Sequence, residues 1–145
     1  MQFKWATGIT NPVYQDALAI RRKVFIEEQS VDESIEIDGT DDSKHHVVGY
    51  LNGQALATAR ITPLDDDTLK IQRVAVQQGQ RGLGIGRKLM EEIESFARTN
   101  NFKRLILSAQ DPVIPFYEHV DYVITNNEGY FEAGIPHHDM EKILS

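Results

Sequence analysis

The chain has no cysteine among its 145 residues. That excludes disulfides, cysteine-ligated zinc and a thiol nucleophile, so acyl chemistry here cannot pass through an acyl-cysteine. No apolar run approaches the roughly 18–20 residues a helix needs to cross a bilayer. Met1-Gln2-Phe3-Lys4-Trp5 lacks the apolar core of a signal peptide. The expectation is a cytoplasmic protein with no membrane partner. Basic residues are the minority: 15 Lys and Arg against 22 Asp and Glu leave a formal net charge of −7. No nucleic-acid partner is expected, because neutralising phosphates needs a basic face. A small anionic ligand is not excluded, since local field in a cleft matters more than net charge. His45-His46 and His137-His138 lack the His-Glu-x-x-His spacing of a zinc hydrolase, and no Gly-x-Ser-x-Gly elbow is present. Asp65-Asp66-Asp67 lacks the alternating ligands of a calcium loop and reads as a solvated turn. No metal is expected.

The length suits one domain, residues 1–145, and no repeat, linker or low-complexity tract divides it. Gln2–Ala6 reads as a short strand. Asn11-Pro12 supplies an N-cap followed by proline at the first helical position, and Val13, Ala17, Ile20 and Val24 recur at helical spacing to about Glu28. Residues 30–44 are acidic and turn-rich, a loop with room for one helical turn. His46–Leu51 and Gln54–Ile61 read as strands joined at Asn52-Gly53, the preferred pair for a type I′ hairpin. Pro63 to Asp67 is a turn and Leu69–Val76 a strand. From Gly84 to Asn100, Gly86, Leu89, Met90, Ile93, Phe96 and Ala97 form one helical stripe. Arg104–Ala109 is an apolar, central strand and Pro112–His119 a short helix. Strands at Tyr122–Thr125 and near His138–Ile143 close the chain. This order predicts a mixed α/β sheet with a largely antiparallel N-terminal half and flanking helices.

Between the apolar run Ile71–Val76 and the long helix lies Arg81-Gly82-Leu83-Gly84-Ile85-Gly86. Glycine has no Cβ, so a ligand can approach the backbone amides closely. The first turn of the following helix offers unpaired N–H groups and the positive end of the dipole. Together these suit a phosphate or pyrophosphate, with Arg81, Arg87 and Lys88 adding local positive charge. A P-loop would need Lys-Ser/Thr after the last glycine, which is absent. A dinucleotide fingerprint would need a different glycine spacing and a parallel sheet before it.

The remaining pattern is Arg/Gln-x-x-Gly-x-Gly/Ala, met by Arg81, Gly84 and Gly86. With it the chain resembles the GNAT family of acyl-CoA-dependent N-acetyltransferases. Arg73-Val74-Ala75-Val76 precedes the loop as the family's fourth strand does, and Phe116-Tyr117-Glu118-His119 is similar to its Phe-Tyr-x-x-x-Gly-Tyr/Phe segment. Val24-Phe25-Ile26-Glu27-Glu28-Gln29, Glu36-Ile37-Asp38 and Gly134-Ile135-Pro136-His137 resemble the small bacterial ElaA/YjcF-type subgroup. The sequence departs from the family at Asp121, where glycine is usual, at Ser108, where many relatives have asparagine, and at Gln72, where many have glutamate.

The resemblance implies splayed fourth and fifth strands, with acetyl-CoA as co-substrate and its pantetheine arm in the gap. The arm would meet backbone groups of Val74, Ala75 and Val76 and the side chain of Ser108. Its pyrophosphate would meet Arg81, Gly82, Leu83, Gly84, Ile85, Gly86 and Arg87. The implied reaction is direct acetyl transfer to a primary amine of a small molecule or protein. Tyr117 would protonate the leaving thiolate. Gln72 could position water or an amine, and Glu28 could serve as base, with His119 and His137 as further candidates. Glu28, Gln29, Asp38 and His137 would contact the acceptor. Carboxylates at 27, 28, 32, 33, 36 and 38 suggest a cationic acceptor. The alternatives on the same residues are a non-catalytic acyl-CoA-binding or sensor protein and, more distantly, a nucleotide-binding module. Homodimers are common in the family, and no residue here decides the oligomeric state.

Overall fold

The structure, a computed structural model, describes residues 1–82 and 84–144. Eight strands form one sheet: β1 (Gln2–Thr7), β2 (His45–Leu51), β3 (Gln54–Pro63), β4 (Thr68–Val76), β5 (Arg104–Gln110), β6 (Val123–Ile124), β7 (Tyr130–Glu132) and β8 (Ile135–Ile143). Their order is β1-β2-β3-β4-β5-β8-β6, with β7 also on β8. Pairing is antiparallel except between β4 and β5, which run parallel. A parallel pair needs a crossover connection, usually a helix, and α3 (Ile85–Thr99) supplies it.

The local signals act as expected. Asn52 and Gly53 both take positive φ, 52° and 78°, which closes the β2–β3 hairpin as a type I′ turn. The Asn11 side chain accepts from the Tyr14 amide (3.1 Å) and starts α1 (Pro12–Arg21). The helix then continues through a π-helical stretch, Arg22–Glu28, whose wide turn is closed by Gln29 N–H on the Val24 carbonyl. Two further segments add detail to the expectation. The acidic stretch holds α2 (Glu33–Glu36) and a 3₁₀ turn at Asp41–Ser43. The last strand begins at Ile135, because Tyr130–Glu132 folds back on it as β7, a hairpin too short to leave a periodic pattern.

The sheet carries a layer on each face. On one face α3 buries Leu89, Ile93 and Ala97 against Ile61, Leu69, Leu105 and Leu107, together with Tyr117 of α4 (Ile114–His119). On the other, Ala17, Ile20 and Val24 of α1 and its extension pack on Val48 and Ala75.

The second face is unusual in burying charge. Arg21 and Arg60 are each 1% exposed. Arg21 donates to Glu36 (2.7 Å) and to both Asp41 oxygens (3.0 Å), while Arg60 donates to Asp41 (3.1 Å), Asp38 and Gln72. Arg73 pairs with Glu36 at 2.9 Å. Three guanidiniums therefore meet three carboxylates, and a buried charge is tolerated only when so paired. Burial alone would raise the Asp41 carboxyl, but the Tyr14 hydroxyl and the two arginines hold it below its usual value. The network fastens residues 32–41 to the sheet.

His46 closes this cluster. Its Nε2 donates to the Asp41 carbonyl (3.0 Å), and Nδ1 is buried without a partner among the described residues. Burial pushes the imidazole pKa down. The unfolded chain thus takes up this proton first. The stabilising contribution is complete above about pH 6.5 and is lost as pH falls toward the lower folded-state value. Melting curves recorded from about pH 7.5 to 5 should fall more steeply for the wild type than for His46→Gln; parallel curves would remove His46 as the cause.

Candidate active site

The β4–β5 ladder runs from Thr68 opposite Arg104 to Ile71 opposite Leu107 and stops there. Both strands continue, to Val76 and Gln110, without pairing to each other, so the sheet opens into a wedge. One cause lies on β4. Between Thr58 opposite Ala75 and Arg60 opposite Gln72 the ladder accommodates an extra β4 residue, a bulge at which Arg73 takes φ +56°. Bulges bend and twist a strand away from its neighbour. Arg73 is held in that conformation by Glu36 and by the Ile35 carbonyl (3.2 Å).

The bend leaves main-chain groups facing the wedge. The Gln77 amide donates to the Leu56 carbonyl on β3 (2.9 Å). The Val76 carbonyl is antiparallel to that N–H in the same planar peptide, so it points off β3 and into the opening. What meets it there is Arg81 Nε, at 3.0 Å. The Arg81 guanidinium also grips Glu28, with Nη1–Oε1 2.5 Å and Nη2–Oε2 2.7 Å. Arg81 lowers the Glu28 carboxyl, and Glu28 raises the guanidinium in return.

Beyond Arg81 the loop has the shape that its glycines suggest. Gly82 and Gly84 take φ +83° and +76°, and a Cβ at either would meet nothing within 4 Å. Gly84 begins α3 with no side-chain cap, leaving the amides of the first turn without side-chain partners. Leu83 lies outside the described residues. Ile85 is buried in the core, so only its main chain can serve a ligand. Gly86 serves packing instead, since a Cβ there would stand 3.1 Å from Phe116 Cζ. Arg87 is exposed and pairs with Glu91 at 3.2 Å on the helix surface.

Tyr117 is 7% exposed, edge-on to Phe116 and Tyr122, and its hydroxyl makes no hydrogen bond among the described residues. Burial pushes the phenol pKa up, so the group is protonated at neutral pH. Asp121 takes φ +74°, the left-handed conformation that the family's glycine would favour and aspartate tolerates.

The other face of the wedge is polar. Paired residues share a face, so Ser108 and Gln110 on β5 stand beside Asp139 and His137 on β8. Gln110 exchanges amide hydrogen bonds with Gln29 (2.9 and 3.4 Å). Ser108 donates to the Tyr130 oxygen, and Tyr130 donates to Asp139 Oδ1 at 2.6 Å. Burial and Asp139 push the Tyr130 phenol up to about 12. His137 Nδ1 donates to the Ile135 carbonyl (2.6 Å), which leaves the lone pair of the neutral ring on Nε2. Its ring stacks on Tyr130 with centroids 6.1 Å apart. Family motifs and helical spacing do not single out Gln110, Tyr130 or Asp139; the alternation of His137, Asp139 and Glu141 along β8 is the sequence signal that marks one polar face.

The remaining candidates sit elsewhere or are engaged. His119 is exposed at the end of α4. Gln72 accepts from Arg60 (3.0 Å), and Asp38 is held well below the usual carboxylate range by Arg60 and Thr40, which outweigh its partial burial. The expectation of an entrance with excess negative charge needs correcting. Glu28, Glu33, Glu36 and Asp38 each face an arginine, so these carboxylates bind the protein's own cations.

Residues 10–144 match the family model described as an acetyltransferase (GNAT) domain. YjcF of Bacillus subtilis, an uncharacterised N-acetyltransferase, is 32% identical over 128 residues, covering 88% of this chain and 91% of YjcF. A Lactobacillus plantarum protein of known structure superposes with a TM-score of 0.89 at 28% identity, covering 100% of both chains. The Escherichia coli ElaA structure gives 0.83 at 27% identity, covering 98% of this chain and 99% of ElaA.

Proposed function

Since the chain belongs to the GNAT acetyltransferase family and is an acyltransferase, we propose that it transfers an acetyl group from acetyl-CoA directly to a primary amine of a small molecule or protein. The observation that carries this reading is the wedge: β4 main chain at Val76 with no β5 partner, next to a loop whose Gly82 and Gly84 are open at the Cβ position and a helix end without a side-chain cap. An extended arm can pair with Val74 and Val76 as an added strand would. The amides from Arg81 to Gly86 suit its phosphates.

In this reading the backbone N–H of Val74 takes the charge that develops on the thioester oxygen as the amine attacks. The N–C bond forms and the C–S bond breaks. Tyr117 gives its proton to the departing sulfur, which a buried, protonated phenol can do. The amine's own proton passes to the Nε2 lone pair of His137, on the polar face that it shares with Gln110 and Tyr130. Ser108 bonds Tyr130 in this structure, so a hydrogen bond from Ser108 to the arm would require it to turn.

Thermal shift tests the cofactor. A ligand at a hundredfold excess over its Kd stabilises the fold by about 2.7 kcal/mol. Acetyl-CoA and coenzyme A should therefore raise Tm by several degrees while ATP at the same concentration does little. No rise with either would overturn the cofactor assignment.

A further inference from the structure

Two adjacent residues at the end of the π-helical stretch reach opposite lips of the wedge. Glu28 holds Arg81 on the β4 side, and Gln29 holds Gln110 at the tip of β5. A regular α-helix places successive side chains about 100° apart, and inserted π turns recur at functional sites. The Arg81 end of this clasp lies across the opening itself, because its Nε occupies the Val76 carbonyl. That carbonyl has no β5 partner, since the β4–β5 ladder ends at Ile71.

We infer that the Arg81–Glu28 pair is a latch: acyl-CoA must lift Arg81 from Val76 and Glu28 to enter, and in doing so it frees the Glu28 carboxylate for the acceptor side. The inference rests on the acyl-CoA reading above. Arg81 stands at the first position of the glycine loop, so a phosphate at that loop offers the guanidinium a replacement anion. Glu28 has no second cation among the described residues, so release leaves it unpaired. The Glu28 carboxylate is thereby masked until the cofactor is in place.

The pair is exposed, and such pairs contribute ~0.2–1 kcal/mol. Removing the competitor for Arg81 should therefore tighten cofactor binding by a small, measurable factor. Titration calorimetry with acetyl-CoA should give a Kd about 1.4- to fivefold lower for Glu28→Gln than for the wild type. Arg81→Gln should bind more weakly, and adding Glu28→Gln to it should change nothing further, because the latch is already gone. The Glu28 carboxyl, followed by carbon NMR, should climb back toward the ordinary glutamate range once acetyl-CoA saturates the wild type. A Glu28→Gln variant that binds as the wild type does, or more weakly, would overturn the latch, as would a Glu28 carboxyl that stays low in the complex. Failure of the wild type itself to bind acetyl-CoA would instead strike the cofactor reading, and the latch with it.

Discussion

Tyr117→Phe should reduce turnover by about 10²- to 10⁴-fold, the usual contribution of general acid catalysis, and leave the acetyl-CoA affinity unchanged. The ring is packed edge-on against Phe116 and Tyr122, and phenylalanine preserves both contacts. Only the hydroxyl is lost, and it bonds to nothing among the described residues. Folding stability should therefore be nearly unchanged, since the substitution keeps the ring packing and removes no hydrogen bond. Turnover measured by release of free coenzyme A, together with calorimetric Kd, separates the cases. Full activity in the variant would exclude Tyr117 as the acid. A wild type that binds acetyl-CoA tightly but turns over no amine would favour the sensor alternative.

The largest effect on stability is expected at Asp41. This carboxylate receives Arg21, Arg60 and the Tyr14 hydroxyl within 3.1 Å. Asp41→Ala leaves two guanidiniums buried with one fewer counterion. Breaking a buried pair by removing one partner costs about 3–5 kcal/mol, which for a chain of this size lowers Tm on the order of 10 °C. Glu33→Ala provides the contrast, because its pair with Arg22 is exposed on both sides, and such pairs contribute ~0–1 kcal/mol. Denaturant unfolding of the two variants measures the difference. A loss at Asp41 no larger than that at Glu33 would mean that the cluster is fully hydrated and does not anchor residues 32–41.

These two sites differ in how far they can be read from the sequence. Local chemistry is legible: the Asn11 cap, the Asn52-Gly53 turn and the glycine loop each depend on residues a few positions apart. Resemblance to a known family marks Tyr117. The charged cluster is not legible in this way. Arg21, Glu36, Asp41, Arg60 and Arg73 meet only when α1, α2, β3 and β4 have packed, and their spacing follows no helical or strand period. The acidic run from 27 to 38 therefore reads as a binding surface in the sequence, whereas several of its carboxylates neutralise arginines from elsewhere in the fold. The bulge at Arg73 is silent for the same reason. An arginine at positive φ has no sequence signature; the contacts of its side chain keep it there. β7 is equally silent, because three residues are too few to show alternation.

Gly86 and Phe116 have a mechanical consequence. Gly86, in the first turn of α3, and Tyr117, on α4, belong to separate helices. Phe116, next to Tyr117, lies so close to Gly86 that a Cβ would be 3.1 Å from its ring, and the same ring packs edge-on against Tyr117. The Phe116 ring thus couples the position of Tyr117 to the start of α3. A side chain at position 86 would press on that ring and so act on Tyr117 from a separate helix.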